Sequence, residues 1–327
     1  MAGLYPRNLS CLRAESDIVL AIASITGPIF ILIALGYWVT WRQWFAQASI
    51  RALGQFVITF ALPAMIFRAL TRQSFAEVVA MHYLLAYGLG SLLALGLGML
   101  FARLVAGHDF RLSALFGLGM SMSNSGFIGF PIVSQLLGAK AGIALAMTML
   151  VENAVVFPLA LILLESHDAG GKGWAYLLQQ VGGRLLRSPL VISISAGVLC
   201  SLAGLQLPGV FSKVLELMAQ ASVALSLFVI GGSLVGLKTR GIVRRISPIV
   251  LGKLVMHPLL IFLLLHFLLP VPGWLQLAAV LFACAPMMSI YPIMGQKYGH
   301  EGLCAATLLA ATVTSFFSIS SMLWLQG

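Results

Sequence analysis

The stretch that decides the fold is GLGMSMSNSGFIGFPIV, residues 117–133. It places four glycines, three serines, an asparagine and a proline inside an apolar run. Pro131 lacks a backbone N–H, and Gly126 and Gly129 loosen the turn before it, so the stretch predicts a broken helix. Freed backbone groups are costly in hydrocarbon, so such a break must be buried in protein or line a watery cavity.

A second stretch, CAPMMSIYPIMGQKYG at residues 284–299, repeats the pattern with Pro286 and Pro292 on either side of Ser289. Two interrupted membrane helices in corresponding positions predict a substrate site near the middle of the bilayer. Each half-helix that begins after a break presents free N–H groups and a partial positive charge, which suit an anion such as a carboxylate. The alternative is that these glycines and prolines only kink and pack membrane helices.

The composition around these stretches is that of a membrane protein. Of the 327 residues, 60% are hydrophobic and 9% are charged, whereas soluble domains are about 45–50% apolar and about 25% charged. Soluble globular, disordered and coiled-coil classes are therefore excluded. Long continuous apolar runs favour helices over a barrel, so the sequence predicts an all-α polytopic membrane protein.

Apolar runs bounded by charges, proline or glycine predict ten transmembrane helices in two groups of five. The first group occupies residues 18–164, after a polar tail at 1–17, and the second occupies 189–327, after a connector at 165–188. Because five is odd, a homologous second group would be inverted, as in many secondary transporters. The ten predicted spans are 18–40, 51–70, 81–105, 112–137, 141–164, 189–206, 214–236, 247–269, 273–297 and 302–325.

The distribution of basic residues predicts the topology. Lys and Arg are more frequent in the odd-numbered loops than in the termini and even-numbered loops. The positive-inside rule then places the odd loops in the cytoplasm and both termini outside the cell membrane. This topology explains the formal net charge of +10, so we expect a lipid bilayer as the partner and no nucleic acid.

Two charged side chains lie well inside predicted spans: Glu152 in span five and Lys253 in span eight. Such residues usually face a partner or a cavity, because a charge at the helix centre costs about 2.5–3.5 kcal/mol. Lys253 could balance an anionic substrate, pair with Glu152, or extend to the membrane surface. Glu152 is a candidate for carrying a coupling proton, together with His257, which lies one turn after Lys253.

Six motifs distributed over nearly the whole chain carry a resemblance to a known family. They are PIFILIALGYWVT (28–40), ALPAMIFRAL (61–70), SNSGFIGFP (123–131), ENAVVFPLALILLE (152–165), KLVMHPLL (253–260) and APMMSIYPIMGQKYG (285–299). In this order and spacing the chain resembles the auxin efflux carrier family, whose members include plant PIN auxin exporters and bacterial malonate transporters.

The resemblance implies two inverted five-helix repeats in which helices four and nine cross at their breaks. Helices 1, 2, 6 and 7 would form a scaffold and a homodimer, while helices 3–5 and 8–10 would form a transport domain that moves like an elevator. By position, Asn124 is the asparagine before the crossover, Gly129 is the small residue and Pro131 is the crossover proline. Pro286 and Pro292 are their counterparts in helix nine.

The sequence therefore predicts a secondary transporter for a small organic anion, most simply a carboxylate. The predicted substrate residues are Asn124, Ser125, Gly129, Ser289 and Lys253. Protons or sodium would couple transport, and no cofactor, metal or catalytic residue is expected. The alternatives are an exporter of auxin or another weak acid, a channel, and an intramembrane enzyme. The enzyme is disfavoured because the chain has no recognisable nucleophile–base or metal motif.

Overall fold

The structure, a computed structural model, describes residues 27–28, 30–71, 80–165, 183, 187–205, 207–236 and 243–326. All regular elements in these ranges are helical. The predicted tail at 1–17, the first part of the first predicted span and most of the 165–188 connector lie outside them. The helices are α1 (Phe30–Trp41), α2 (Gln47–Thr71), α3 (Met81–Val105), α4 (Phe110–Ser121), α5 (Phe130–Leu137), α6 (Lys140–Leu164), α7 (Pro189–Leu202), α8 (Gly209–Ser233), α9 (Arg244–Leu268), α10 (Gly273–Cys284), α11 (Tyr291–Lys297) and α12 (Glu301–Gln326).

Six of the described helices are long and apolar enough to cross a membrane, namely α2, α3, α6, α8, α9 and α12. The prediction of an all-helical membrane protein is confirmed at this level. The described ends of these helices lie within a few residues of the predicted spans. Span three, predicted at 81–105, is α3.

Four helices have a local irregularity that the sequence explains. In four places a five-residue π-helical turn is followed by one further residue and then a proline. Proline cannot donate to the carbonyl one turn earlier and its ring clashes with that carbonyl, and a widened turn relieves both problems. The four turns are Val57–Ala61, Ser125–Gly129, Glu152–Val156 and Gly252–Met256, which precede Pro63, Pro131, Pro158 and Pro258.

Helices of the two halves match in length and order. The three long helices of the first half, α2, α3 and α6, each contain 25 residues. The three long helices after the connector, α8, α9 and α12, contain 25, 25 and 26 residues. The short helices α4 and α10 contain 12 residues each.

Helices α1 and α8 pack with their backbones in direct contact. A Cβ atom on Gly36 would collide with the backbone carbonyl of Phe228, and one on Gly231 would collide with the carbonyl of Ile33. A Cβ atom on Gly232 would lie 2.6 Å from the side-chain Cδ1 of Ile50 on α2. Glycines on α8 thus serve close packing within the chain, as small residues often do in membrane helices.

The short helices lie among the long ones and bring the two breaks into the protein interior. Helix α3 packs along α4 and α9, α10 packs against α6, and α2 contacts α6, α7 and α8. The residues from Ser121 to Val133 are all buried. The break in the first half is therefore enclosed by protein rather than by lipid, as the cost of free backbone groups requires.

Candidate functional site

The two interruptions predicted from the sequence lie against each other. Helix α4 ends at Ser121, and residues 122–124 are not helical before the π-helical turn that leads into α5. Helix α10 ends at Cys284, and residues 285–290 are not helical before α11. The Asn124 backbone N–H donates to the Pro286 carbonyl oxygen at 2.8 Å. A main-chain hydrogen bond thus joins the two breaks directly.

The structure brings together two predicted substrate residues, one from each break. The Asn124 side-chain amide donates from Nδ2 to the Ser289 hydroxyl oxygen at 2.8 Å. Asn124 is only 4% exposed, whereas Ser289 is half-buried. Gly129, another predicted substrate residue, lies beside the ring of Phe282, where a Cβ on Gly129 would be 2.7 Å from Cδ1 of that ring. A polar pair therefore spans the crossover, with packed apolar surface next to it.

Glu152 lies in the middle of α6, and its carboxylate faces the start of the helical segment that follows the first break. Its Oε1 accepts hydrogen bonds from the Ser125 hydroxyl at 2.8 Å, the Tyr87 hydroxyl at 3.0 Å and the Ser123 backbone N–H at 3.3 Å. A carboxylate suits this place, because the first N–H groups of a helix carry a partial positive charge. Ser125, which the sequence predicts to contact substrate, donates its hydroxyl hydrogen bond to Glu152.

Lys253 lies in the middle of α9, and its ammonium group reaches the end of α10 at the second break. Its Nζ donates to the Ser123 hydroxyl at 2.6 Å, to His257 Nδ1 at 2.7 Å and to the Ala283 carbonyl at 2.8 Å. Lys253 is fully buried, so it does not extend to the membrane surface. Within the described residues Lys253 and Glu152 form no direct ion pair; Ser123 contacts both.

His257 extends this hydrogen-bond network to a third helix. Its Nε2 lies 3.0 Å from the Ser91 hydroxyl on α3. With Nδ1 accepting from Lys253, the ring proton must be on Nε2, which then donates to Ser91. The chain of contacts runs from Glu152 through Ser123, Lys253 and His257 to Ser91. It includes both residues predicted to take part in proton coupling.

Sequence analysis missed the contribution of α3 to the site. Tyr87 and Ser91 contact Glu152 and His257, and on the same face the Tyr83 hydroxyl lies 2.6 Å from the Thr148 hydroxyl. These residues are spaced by four, which places them on one face of a helix. A polar stripe on an otherwise apolar helix was the signal that could have identified them.

Of the three predicted crossover prolines, Pro131 and Pro292 lie beside the breaks and Pro286 lies inside the second break. Pro131 follows the π-helical turn Ser125–Gly129, which accommodates its ring. Pro292 is the second residue of α11, where the missing N–H costs nothing because no partner exists there. The chain leaves the helix several residues before Pro131, at 122–124. Pro286 lies inside the second break and supplies the carbonyl that Asn124 binds.

Comparison with known proteins gives a consistent result over almost the whole chain. The family model described as "Membrane transport protein" matches residues 24–324. A protein of Rhizobium meliloti (strain 1021) named "Putative malonate transporter" is 27% identical over 93% of this chain and 96% of its own length. The "Uncharacterized transporter YfdV" of Escherichia coli (strain K12) is 26% identical over 62% of this chain and 66% of its own.

Proposed function

This chain belongs to the membrane transport protein family, the auxin efflux carrier-like group that its motifs resemble, and we propose that it is a secondary carrier for a small organic carboxylate. One observation carries the proposal: Asn124 Nδ2 donates to Ser289 Oγ across two helix breaks that face each other. Two neutral polar groups from different half-helices meet at the point where a guest would bind.

These groups have the chemistry to hold a carboxylate. An amide nitrogen offers two N–H donors and a serine hydroxyl offers one. When the Asn124–Ser289 hydrogen bond opens, both residues can donate to the two oxygens of one carboxylate. The name of the Rhizobium relative points to the same substrate class. A mono- or dicarboxylate is the substrate we propose, and auxin or another weak acid is the alternative to be tested.

The proposed carrier has ten spans in two inverted repeats, 18–164 and 189–327, with helices four and nine crossing. The matched lengths of the long helices and of α4 and α10 support this arrangement. Helices 1, 2, 6 and 7 would be the scaffold and the homodimer contact, and helices 3–5 and 8–10 the moving transport domain. The proposed location is the cell membrane, with both termini outside.

Uptake by the purified protein in liposomes tests the function. Radiolabelled malonate is the first probe, followed by short monocarboxylates and indole-3-acetate as competitors. Saturable uptake that carboxylates inhibit supports a carrier, and the competition pattern distinguishes a malonate carrier from an auxin-like one. A flux that stays linear with substrate concentration contradicts the proposal and indicates a channel.

Asn124→Ala tests the site. It removes the side-chain donor but keeps the backbone N–H that binds Pro286. A hydrogen bond to a charged partner contributes about 1.5–3 kcal/mol, so we expect the concentration for half-maximal uptake to rise about 10- to 100-fold. The matched control is Asn153→Ala, because within the described residues Asn153 donates only to the Met149 carbonyl of its own helix, at 2.8 Å. Equal kinetics in the two variants would refute the site.

A further inference from the structure

The environment of the Lys253 ammonium is that of a bound cation. Its three acceptors come from three different segments: the Ser123 hydroxyl at the first break, the Ala283 carbonyl at the end of α10, and His257 Nδ1 one turn along α9. An ammonium group has three N–H donors and accepts no hydrogen bond. The number of its acceptors therefore equals the number of its donors, although the group is fully buried.

The Ala283 carbonyl shows why a cation is needed there. Ala283 is the second-last residue of α10, and the last four carbonyls of a helix have no intrahelical partner and carry a partial negative charge. In carriers with broken helices, such helix ends and unwound carbonyls coordinate a coupling cation such as sodium. In this chain the side chain of Lys253 reaches that carbonyl from the neighbouring helix.

The other two contacts fix the ammonium in this place. His257 Nδ1 is held as an acceptor because Nε2 faces the Ser91 hydroxyl at 3.0 Å. The Ser123 hydroxyl also lies within 3.4 Å of Tyr87, which donates to Glu152. The ammonium is thus bound by one carbonyl, one hydroxyl and one imidazole nitrogen. The two oxygen atoms are ligands of the kind that a hard cation such as sodium takes.

We propose that the Lys253 ammonium is a covalently attached replacement for a coupling cation at the crossover, so that this protein works without sodium. The proposal deepens the proposed carrier function and rests on it only where transport is concerned. The sequence left open whether protons or sodium couple transport, and this proposal excludes sodium as the coupling ion. Loss of the lysine side chain should leave a vacant site at which a small cation can bind.

Thermal unfolding of the purified full-length protein tests the cation site without any substrate. The wild type and Lys253→Ala are heated in equal concentrations of sodium chloride, methylammonium chloride and choline chloride. We expect the wild type to melt at the same temperature in all three. In choline chloride we expect Lys253→Ala to unfold at a lower temperature than the wild type. Its melting temperature should rise progressively with the concentration of sodium or methylammonium, because a ligand that binds only the folded state stabilises it.

Lys140→Ala is the matched control. Lys140 is an exposed lysine whose Nζ lies 5.3 Å from the ring centroid of Trp274, remote in sequence from both breaks. This variant should respond to the three salts as the wild type does. A wild type that sodium stabilises over choline overturns the proposal, and so does a Lys253→Ala protein that is indifferent to the cation.

Malonate uptake by the wild type in sodium and in choline media gives a second readout. Equal rates are expected, and a rate that falls when choline replaces sodium overturns the proposal. This comparison also decides the matter if Lys253→Ala cannot be recovered folded. Failure of the carrier function is distinguishable, because it abolishes uptake in both media and leaves the salt dependence of unfolding unchanged.

Discussion

Replacing Ser123 by alanine removes a single oxygen atom, but it should destabilise the protein far more than so small a change suggests. Its hydroxyl accepts from Lys253 at 2.6 Å and lies 3.4 Å from the Tyr87 hydroxyl. In Ser123→Ala one N–H of the fully buried Lys253 ammonium loses its partner. Because a hydrogen bond to a charged group contributes about 1.5–3 kcal/mol, we expect the free energy of unfolding to fall by that amount.

Ser121→Ala provides the matched control within the same stretch. Ser121 is also buried, but its hydroxyl donates only to the Leu118 carbonyl of its own helix at 3.5 Å. Such a long bond between neutral groups is worth about 0.5 kcal/mol at most. Reversible unfolding by SDS in mixed micelles measures both variants. If the two lose the same free energy, the Lys253–Ser123 contact does not hold the crossover together.

Two further substitutions separate tight packing from surface charge. Gly129→Ala should lower the free energy of unfolding by about 1–3 kcal/mol, because its Cβ would lie 2.7 Å from Cδ1 of the fully buried Phe282 ring. In the same SDS titration Gly96→Ala should be neutral or stabilising, because nothing lies within 4 Å of its Cβ. The reverse order of stabilities would contradict this packing. Arg68→Ala breaks the 3.1 Å ion pair between Arg68 and Glu216, whose two side chains are 22% and 28% exposed respectively. It should lower the free energy of unfolding by about 1 kcal/mol or less and leave malonate uptake unchanged. A loss of uptake would assign this pair a role in transport.

The sequence predicted the helices well because lipid imposes a simple rule on them. A span must be apolar over about 20 residues, and charges at its ends mark where it stops. Span three was predicted at 81–105 and nine at 273–297, and the described helices start and end at those residues. Glu152 and Lys253 were equally visible, since charged residues are rare inside an apolar run.

The contacts within the site could not be predicted in the same way. Pro131 indicated a break, but proline is well tolerated in the first turn of a helix, and the chain leaves the helix earlier, at 122–124. Which groups Glu152 and Lys253 contact depends on how α3, α4, α9 and α10 pack. Ser123 joins both charges although its sequence neighbours gave no sign of it.

Each of the two buried charges lies next to a helix end that one of the two breaks leaves without partners. An interrupted helix leaves backbone groups without partners, and those groups cannot be left bare inside a membrane. Glu152 accepts from the Ser123 N–H at one break, and Lys253 donates to the Ala283 carbonyl at the other. Each charge has the sign that opposes the partial charge of the helix end it meets. Because these two helix ends already have charged partners within the chain, the substrate recognition that we propose would fall to neutral donors, such as the Asn124 and Ser289 pair that spans both breaks.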